Sequence, residues 1–377
     1  MVKENTMKQT EIGLLPEEWK VKTVEEGFDI CNNLRLPISD DVRKTMQGDY
    51  PYYGPTKVQD YINEYRVDGE YSLIGEDGDH FLKWIDIPMT QYVLGKFNVN
   101  NHAHLIKGKP KTTITKWFYF YFKHRDLTNF LTRQGASRYK LSKSTLVKIP
   151  FAIPPLPEQE AIAEALSDAD AWIESLEQLI AKKRLIKQGA MQELLSPKED
   201  WEVKKLGEVC EIIKGKQFNS SLLNDVSPYP CYSGGISPSG YSEKYNELEN
   251  TIIISEGGNS CGFVNFVTTR FWLGGHCYKV ILKDKNAVQG FYYQLLKYNQ
   301  SAIMDLRVGS GLPNIQKKAL FDFDISLPTS LTEQTRIATI LSDMDAELEA
   351  LEAQLGKARK VKQGMMQELL TGRVRLV

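Results

Sequence analysis

Apolar side chains recur at alternating steps of four and three along two long stretches of the chain. In residues 333–370 the series Ile337, Leu341, Met344, Leu348, Leu351, Leu355, Ala358, Lys362, Met365 and Leu369 runs without a break. In residues 158–195 Ile162, Leu166, Ala169, Ile173, Leu176 and Ile180 do the same, continued by Lys183, Lys187, Ala190 and Leu194. This is a heptad seam, and it predicts long helices that pair as a coiled coil. Shifted by 175 positions, the stretches align without a gap and are identical at about 22 of 38 positions. At 1.5 Å rise per residue each helix is on the order of 57 Å long. A lone seam would stay in water, whereas two copies in one chain supply each other's partner, so they are expected to pack together. Pro157 suits a first helical turn. Ser330-x-x-Glu333 fits a capping box at the second helix.

Each helix follows a globular segment, and the segments repeat more sparsely. Trp19-x-Val21 answers Trp201-x-Val203, and Tyr50-Pro51-Tyr52-Tyr53 answers Tyr229-Pro230-Cys231-Tyr232. Asn101-His102 answers Gly275-His276, Gly135 answers Gly309, Leu141 answers Ile315, and Ile153-Pro154 answers Leu327-Pro328. Thr251–Ser255 and Tyr278–Leu282 read as short buried strands. The aromatic runs Thr113–Phe122 and Phe291–Lys297 fit helix or strand. Glycine clusters such as Gly75-Glu76-Asp77-Gly78 and Gly257-Gly258 punctuate them. The pattern predicts α+β domains at residues 1–155 and 197–330, each followed by a helical segment, 156–196 and 331–377.

A chain of 377 residues with 42% hydrophobic content can bury more than one core. The net charge of −1 gives no general argument for nucleic acid. Five cysteines without a CxxC pair fit a reduced, cytoplasmic protein rather than a disulfide or zinc scaffold. The polar start MVKENTMKQTEIG and the lack of an 18-residue apolar run point to neither secretion nor a membrane.

Motifs for chemistry are missing. The chain has no GxxxxGK[ST] phosphate loop, no GxGxxG, no GxSxG elbow, no HExxH and no Asn-Pro-Pro-aromatic tetrapeptide. His102-Ala103-His104 could ligate a metal, but a strand with one inward and one outward histidine is the plainer reading. Glu76, Asp77 and Asp79 read as a solvated glycine-rich turn rather than an acid or metal site. No catalytic residue, metal or cofactor is expected.

Binding has better local support. Eleven Lys and Arg residues lie between Lys107 and Lys148, against the single acid Asp126, with Trp117, Phe118, Tyr119, Phe120, Tyr121, Phe122 and Tyr139 interleaved. Such cations neutralise phosphates, and Arg, Asn and Gln on loops read base edges. A solvated basic face over an aromatic core would give the same composition. The residues selected as DNA-contacting are Tyr53, Lys57, Arg133, Gln134, Ser137, Arg138 and Lys140 in the first segment. In the second they are Lys216, Ser233, Arg307, Ser310, Asn314, Gln316 and Lys317.

The whole arrangement resembles the specificity subunit of type I restriction-modification systems. The resemblance is carried by Ile-Pro-Pro-Leu-Pro-Glu-Gln-Glu-Ala-Ile-Ala (153–163), Thr-Glu-Gln-Thr-Arg-Ile-Ala (332–338), the two Lys-Gln-Gly…Met-Gln-Glu-Leu-Leu endings (187–195 and 362–370) and the two Trp-x-Val openings. It implies two target-recognition domains separated by a pair of long antiparallel coiled-coil helices, with an internal pseudo-two-fold repeat. It further implies that each domain binds one half of a bipartite, asymmetric double-stranded DNA target while the helices set the spacer. Two methyltransferase subunits would dock on the helices, and restriction motor-nuclease subunits would join through the complex. The subunit itself would catalyse nothing. A methylation-only system, or a coiled-coil scaffold without sequence readout, remains as an alternative.

Overall fold

The computed structural model describes residues 6–134, 138–309 and 311–376. The chain divides into two compact units, Met1–Leu176 with Gln354–Val377, and Glu177–Ala353. Each unit therefore combines one α+β domain, the first part of the helix that follows it and the last part of the other helix.

In the first unit six strands form one sheet: β1 (Phe28–Ile30), β2 (Gln47–Tyr53), β3 (Val58–Ile62), β4 (Val67–Gly75), β5 (Thr90–Val99) and β6 (Ala103–Gly108), in the order β1-β6-β4-β5-β2-β3. Its pairs are antiparallel except β2 with β5, which run parallel at Tyr52↔Asn98 and Tyr53↔Val99. Helix α1 (Thr115–Phe122) packs on this sheet. The ambiguous aromatic run is thus a helix. Trp117, Phe118, Phe120 and Phe122 are buried, joining Trp19, Phe28 and Phe151 in the core. A short hairpin, β7 (Thr132–Gln134) with β8 (Arg138–Lys140), follows. The strand Lys20–Thr23 then pairs with Pro150–Ile153, so the domain's opening segment lies beside the strand that feeds the long helix α2 (Leu156–Leu195).

The second unit repeats this plan with one break. Strands β9 (Cys210–Lys214), β10 (Tyr229–Tyr232), β11 (Gly240–Ser242), β12 (Thr251–Ser255), β13 (Val264–Val267), β14 (Trp272–Leu273) and β15 (Cys277–Leu282) form two sheets, β9-β15-β12-β13 and β11-β10-β14. In the first unit β5 serves both sides. Here its counterpart is interrupted between Val267 and Trp272, which splits the sheet while keeping the order of neighbours. The parallel pairing survives at Cys231↔Trp272 and Tyr232↔Leu273. Helix α3 (Gln289–Tyr298) corresponds to α1. Trp201–Lys205 pairs with Asp324–Pro328 before the long helix α4 (Leu331–Leu369).

The helical seams bury their apolar positions in two ways. Ile162 and Leu166 at the start of α2, together with Leu369 at the end of α4, join the first domain's core. Ile337, Leu341 and Leu195 do the same in the second. Within each unit the two helical portions run antiparallel. In the first, Asp170 of α2 meets Lys362 of α4, and Glu158 meets Arg375 beyond it. In the second, Asp345 of α4 meets Lys187 of α2. Lys187 and Lys362 are therefore neither frayed nor solvated, because each reaches an aspartate on the facing helix. Exposed pairs such as Lys183–Glu347 and Arg184–Glu352, both 2.6 Å, add little.

Candidate nucleic-acid interface

The loops holding the selected residues are drawn together by backbone hydrogen bonds that recur in both units. In the first, β4 ends at the Gly75–Gly78 loop. Glu76 N donates to His102 O (2.8 Å) in the turn after β5, Leu141 N donates to Glu76 O (2.7 Å), and Gly78 N donates to Tyr139 O (3.0 Å) in the hairpin. In the second, Glu256 N donates to His276 O (2.8 Å), Ile315 N to Glu256 O (2.9 Å), and Gly258 N to Pro313 O (2.9 Å). The same three stitches thus join the same three loops. His102 with His276, and Leu141 with Ile315, are landmarks the sequence repeat had paired; Glu76 with Glu256 is a match it had not.

Both glutamates are largely buried and held by cations. Glu76 receives Arg35 Nη1 at 2.5 Å and Lys140 Nζ at 3.2 Å, with buried His104 at 3.8 Å. Burial would raise its carboxyl pKa, but Arg35, His104 and Lys140 outweigh it and hold the group below the usual range. Glu256 receives Lys214 Nζ at 2.6 Å and the Tyr278 hydroxyl at 2.8 Å. The expected solvated turn is therefore only partly found. Asp79 is exposed and pairs with Lys83, whereas Glu76 pins the loop from inside. Gly75 and Gly78 are required because a Cβ at either would lie within 2.5 Å of the His80 ring.

Tyr53 and Lys57 lie at the β2–β3 turn and join the same platform. Asn100 N donates to Tyr53 O (3.0 Å), Asn100 Nδ2 donates to Gln59 Oε1 (2.9 Å), and Asn100 Oδ1 accepts from His102 N (2.8 Å). Lys57 is exposed. Tyr53 is half-buried with its ring edge-on to Phe97, and burial pushes its phenol up. Arg133 is exposed on β7. Gln134 and Arg138 face each other across the hairpin, though only their backbone is described, and Ser137 and Ser310 lie outside the described residues. Lys140 Nζ lies 3.2 Å from Glu76 Oε1, so its charge is paired with that glutamate in this structure.

In the second unit Lys216, Arg307, Asn314, Gln316 and Lys317 are exposed and Ser233 is half-buried. Lys216 N donates to Leu273 O (3.0 Å), and Gly274 N donates to Tyr232 O (2.7 Å) beside Ser233. Asn314 bridges both Val308 and Gly257. Gln316 precedes the short helix Lys317–Phe321.

The basic run does not form one face. Lys123 turns toward the helices, Lys109 donates to Glu25 O, and Lys116 and Arg125 lie over Tyr92 and Tyr121. Sequence reasoning also missed residues. His102 is 42% exposed at the turn apex, and Asp77 accepts from its Nδ1 at 2.8 Å. It borders a recess of about 410 Å³ lined by Arg43, Gln59, Asn100 and Asn101. His104 is fully buried between Asn32 and Leu141 O, as the inward member of the pair. The repeated His102/His276 landmark was the available signal. Among the described residues no group of three or more His, Cys, Asp or Glu could hold a metal. The cysteines are free, and burial raises the Cys210 and Cys277 thiols to about 12.

Comparison with known proteins agrees with this duplicated plan. The family model "Type I restriction modification DNA specificity domain" matches residues 16–183 and again 198–358. The chain belongs to that family. A Haemophilus influenzae protein, provisionally named as a type I restriction enzyme specificity subunit, is 30% identical over 352 residues, 87% of each chain. The MjaIX type I specificity subunit of Methanocaldococcus jannaschii is 21% identical, covering 99% of this chain and 97% of that one. The crystal structure of a type I restriction-modification S subunit from M. genitalium shares the fold with a TM-score of 0.74 at 19% identity, over 93% of this chain and 96% of that one. Two specificity domains with long paired helices are thus the architecture of this type I specificity subunit. Among the described residues no helix is long and apolar enough to cross a membrane.

Proposed function

We propose that this specificity subunit reads a bipartite, asymmetric DNA target, one half-site per domain, without catalysing any step itself. The observation that carries the reading is the pair of loop platforms. The backbone stitches are the same, while the side chains they present differ: Asp77 corresponds in the repeat to Gly257 and Lys140 to Asn314, and Gln59 and Asn100 line a recess in the first unit. A shared scaffold with divergent side chains suits two domains that approach DNA alike and read different bases. Arg133 and Lys57 in the first domain, and Arg307, Asn314, Gln316 and Lys317 in the second, are the proposed contacts, with His102 and His276 added. The helices act as a ruler between half-sites. Half-sites on one face of B-DNA lie roughly 34 Å apart, within reach of helices on the order of 57 Å. The internal repeat offers two equivalent seats to two copies of a methyltransferase subunit, through which restriction motor-nuclease subunits join in the cytoplasm.

The test is methylation-site mapping in a host expressing the chain with its neighbouring modification subunit, against the same host without the chain. A bipartite methylated motif with a fixed gap, present only with this chain, is the expected result. Exchanging residues 201–325 for another domain changes one half-site only. Methylation that is absent, or independent of the chain, would overturn the reading in favour of a scaffold without readout.

A further inference from the structure

Where domain, own helix and returning helix meet, each unit places one carboxylate among lysines. In the first unit Asp170 of α2 takes Lys362 of α4 and, at 3.5 Å, Lys123 from the end of α1. Lys123 also donates to the Tyr119 hydroxyl at 2.6 Å. In the second, Asp345 of α4 takes Lys187 of α2, and its other oxygen accepts from Gln294 Nε2 of α3 at 2.7 Å. Lys297 and Tyr293 are the α3 counterparts of Lys123 and Tyr119, and both feel the Asp345 charge. The lysines on the facing helices are mostly buried, with side-chain exposures of 13% and 14%, so neither is a casual surface pair.

We infer that Asp170 and Asp345 are positioning residues that key each recognition domain to its pair of helices and so fix the gap between the half-sites. The inference rests on the functional reading above. Apolar contact between an aromatic helix and a heptad seam tolerates rotation and sliding. A carboxylate with one bond to the domain and one to the facing helix does not, because a shift of one helical position leaves a partly buried charge unpaired. Charged or polar groups at seam positions set register in the same way in coiled coils. The repetition at fixed offset, Asp170 with Asp345 and Lys362 with Lys187, places the same interhelical pair in both units, with the domain arm supplied by Lys123 in the first and Gln294 in the second.

The lock is tested by cutting only its domain arm in the full chain, with Lys123→Gln in the first unit and Gln294→Met in the second. Both leave the interhelical pairs intact. Methylated motifs are mapped with the modification subunit present, on targets with the native gap and with gaps one base pair longer or shorter. The expected result is that the ratio of native-gap to altered-gap methylation falls on the order of tenfold, with both half-site sequences unchanged. A second variant, Asp170→Lys with Lys362→Asp, keeps the interhelical pair but sets a lysine against Lys123, and should relax the gap equally. Variants that lose stability yet keep the parent's gap ratio would show a structural role only and overturn the inference. A parent chain that yields no bipartite motif overturns the functional reading and the inference with it. A parent that yields the motif, with variants that keep its gap, overturns the inference alone.

Discussion

The two joints between domain and helix are built from the same residues and are not equally satisfied. In the first unit Glu158 is fully buried, and it accepts from Trp19 Nε1 at 2.8 Å and from Arg375, whose Nη2 lies at 2.7 Å. Gln159 accepts from Ile114 N (3.1 Å) and donates to Thr112 O and Pro154 O. In the second unit the matching Glu333 is partly exposed and takes Lys198 at 2.8 Å. Trp201 Nε1 and Gln334 Oε1 are buried without a protein partner. The difference lies in what closes each joint. After α4 the chain turns through Gly372, at φ +70° against Pro16 and Trp19, and delivers Arg375. After α2 it leaves through Ser196 and Pro197 and delivers only Lys198. Closely similar helices therefore meet domains of the same plan with unequal strength, because capping segments outside the repeat decide the polar balance.

The most damaging test of that contrast is Arg375→Ala. It strands the buried Glu158 carboxylate, and a broken buried pair costs about 3–5 kcal/mol. Lys198→Ala exposes a carboxylate that water already reaches, and should cost less than about 1 kcal/mol. Denaturant unfolding of the two variants reads the difference, and equal losses would refute the asymmetry.

The tryptophans sharpen it. Trp19→Phe removes a donor to a charged acceptor, a hydrogen bond of about 1.5–3 kcal/mol. Trp201→Phe removes an indole N–H that has no protein acceptor, so it should lack that cost and show only the change in packing. The gap between the two losses, measured by thermal unfolding, isolates the Trp19–Glu158 bond.

Neither joint was legible from residue order alone. The helices were, since a heptad seam and a gapless repeat are local patterns, and α2 and α4 run where the periodicity placed them. Strand Thr251–Ser255, and residues Tyr278–Leu282 of strand Cys277–Leu282, were visible as short apolar runs. The aromatic run at 115–122 was not, because α1 is apolar on nearly every side and shows no period that separates helix from strand. The match of Glu76 to Glu256 was hidden because the intervening loops differ in length and the stitches run through backbone atoms, which carry no residue signature. The basic run is a coarse guide for a related reason: a count of cations along the chain does not show that Lys123 pairs toward the helices and Lys140 with Glu76.

Where the units agree, substitutions should agree too. Gly189 in α2 and Gly364 in α4 occupy equivalent positions in the helices, and a Cβ at either meets open space. Ala at each should add about 1 kcal/mol to the stability of the free subunit, equally in both. Unequal gains would show that the helices, alike in sequence, differ in local environment.

A pH test separates the locks at the two junctions. Burial, reinforced by Lys187, holds the Lys297 amine down at about 8 against the pull of Asp345, while the unfolded chain titrates near 10.5. Between those values the unfolded chain binds more protons than the folded one, so this group makes stability rise with pH, from about 8 toward 10.5, and leaves it flat below. The Cys210 and Cys277 thiols act oppositely above pH 9, since burial raises both to about 12. They are common to parent and variant, so they cancel in a comparison with Lys297→Met. The stability of the parent relative to Lys297→Met should therefore increase from pH 7.5 to pH 10 in denaturant unfolding. In the first unit the lowered amine belongs to the helix lysine, Lys362, again through burial. A Lys362→Met comparison should thus show a rise of the same sign. If only one of the two differences rises with pH, the two junctions are alike in geometry but not in charge.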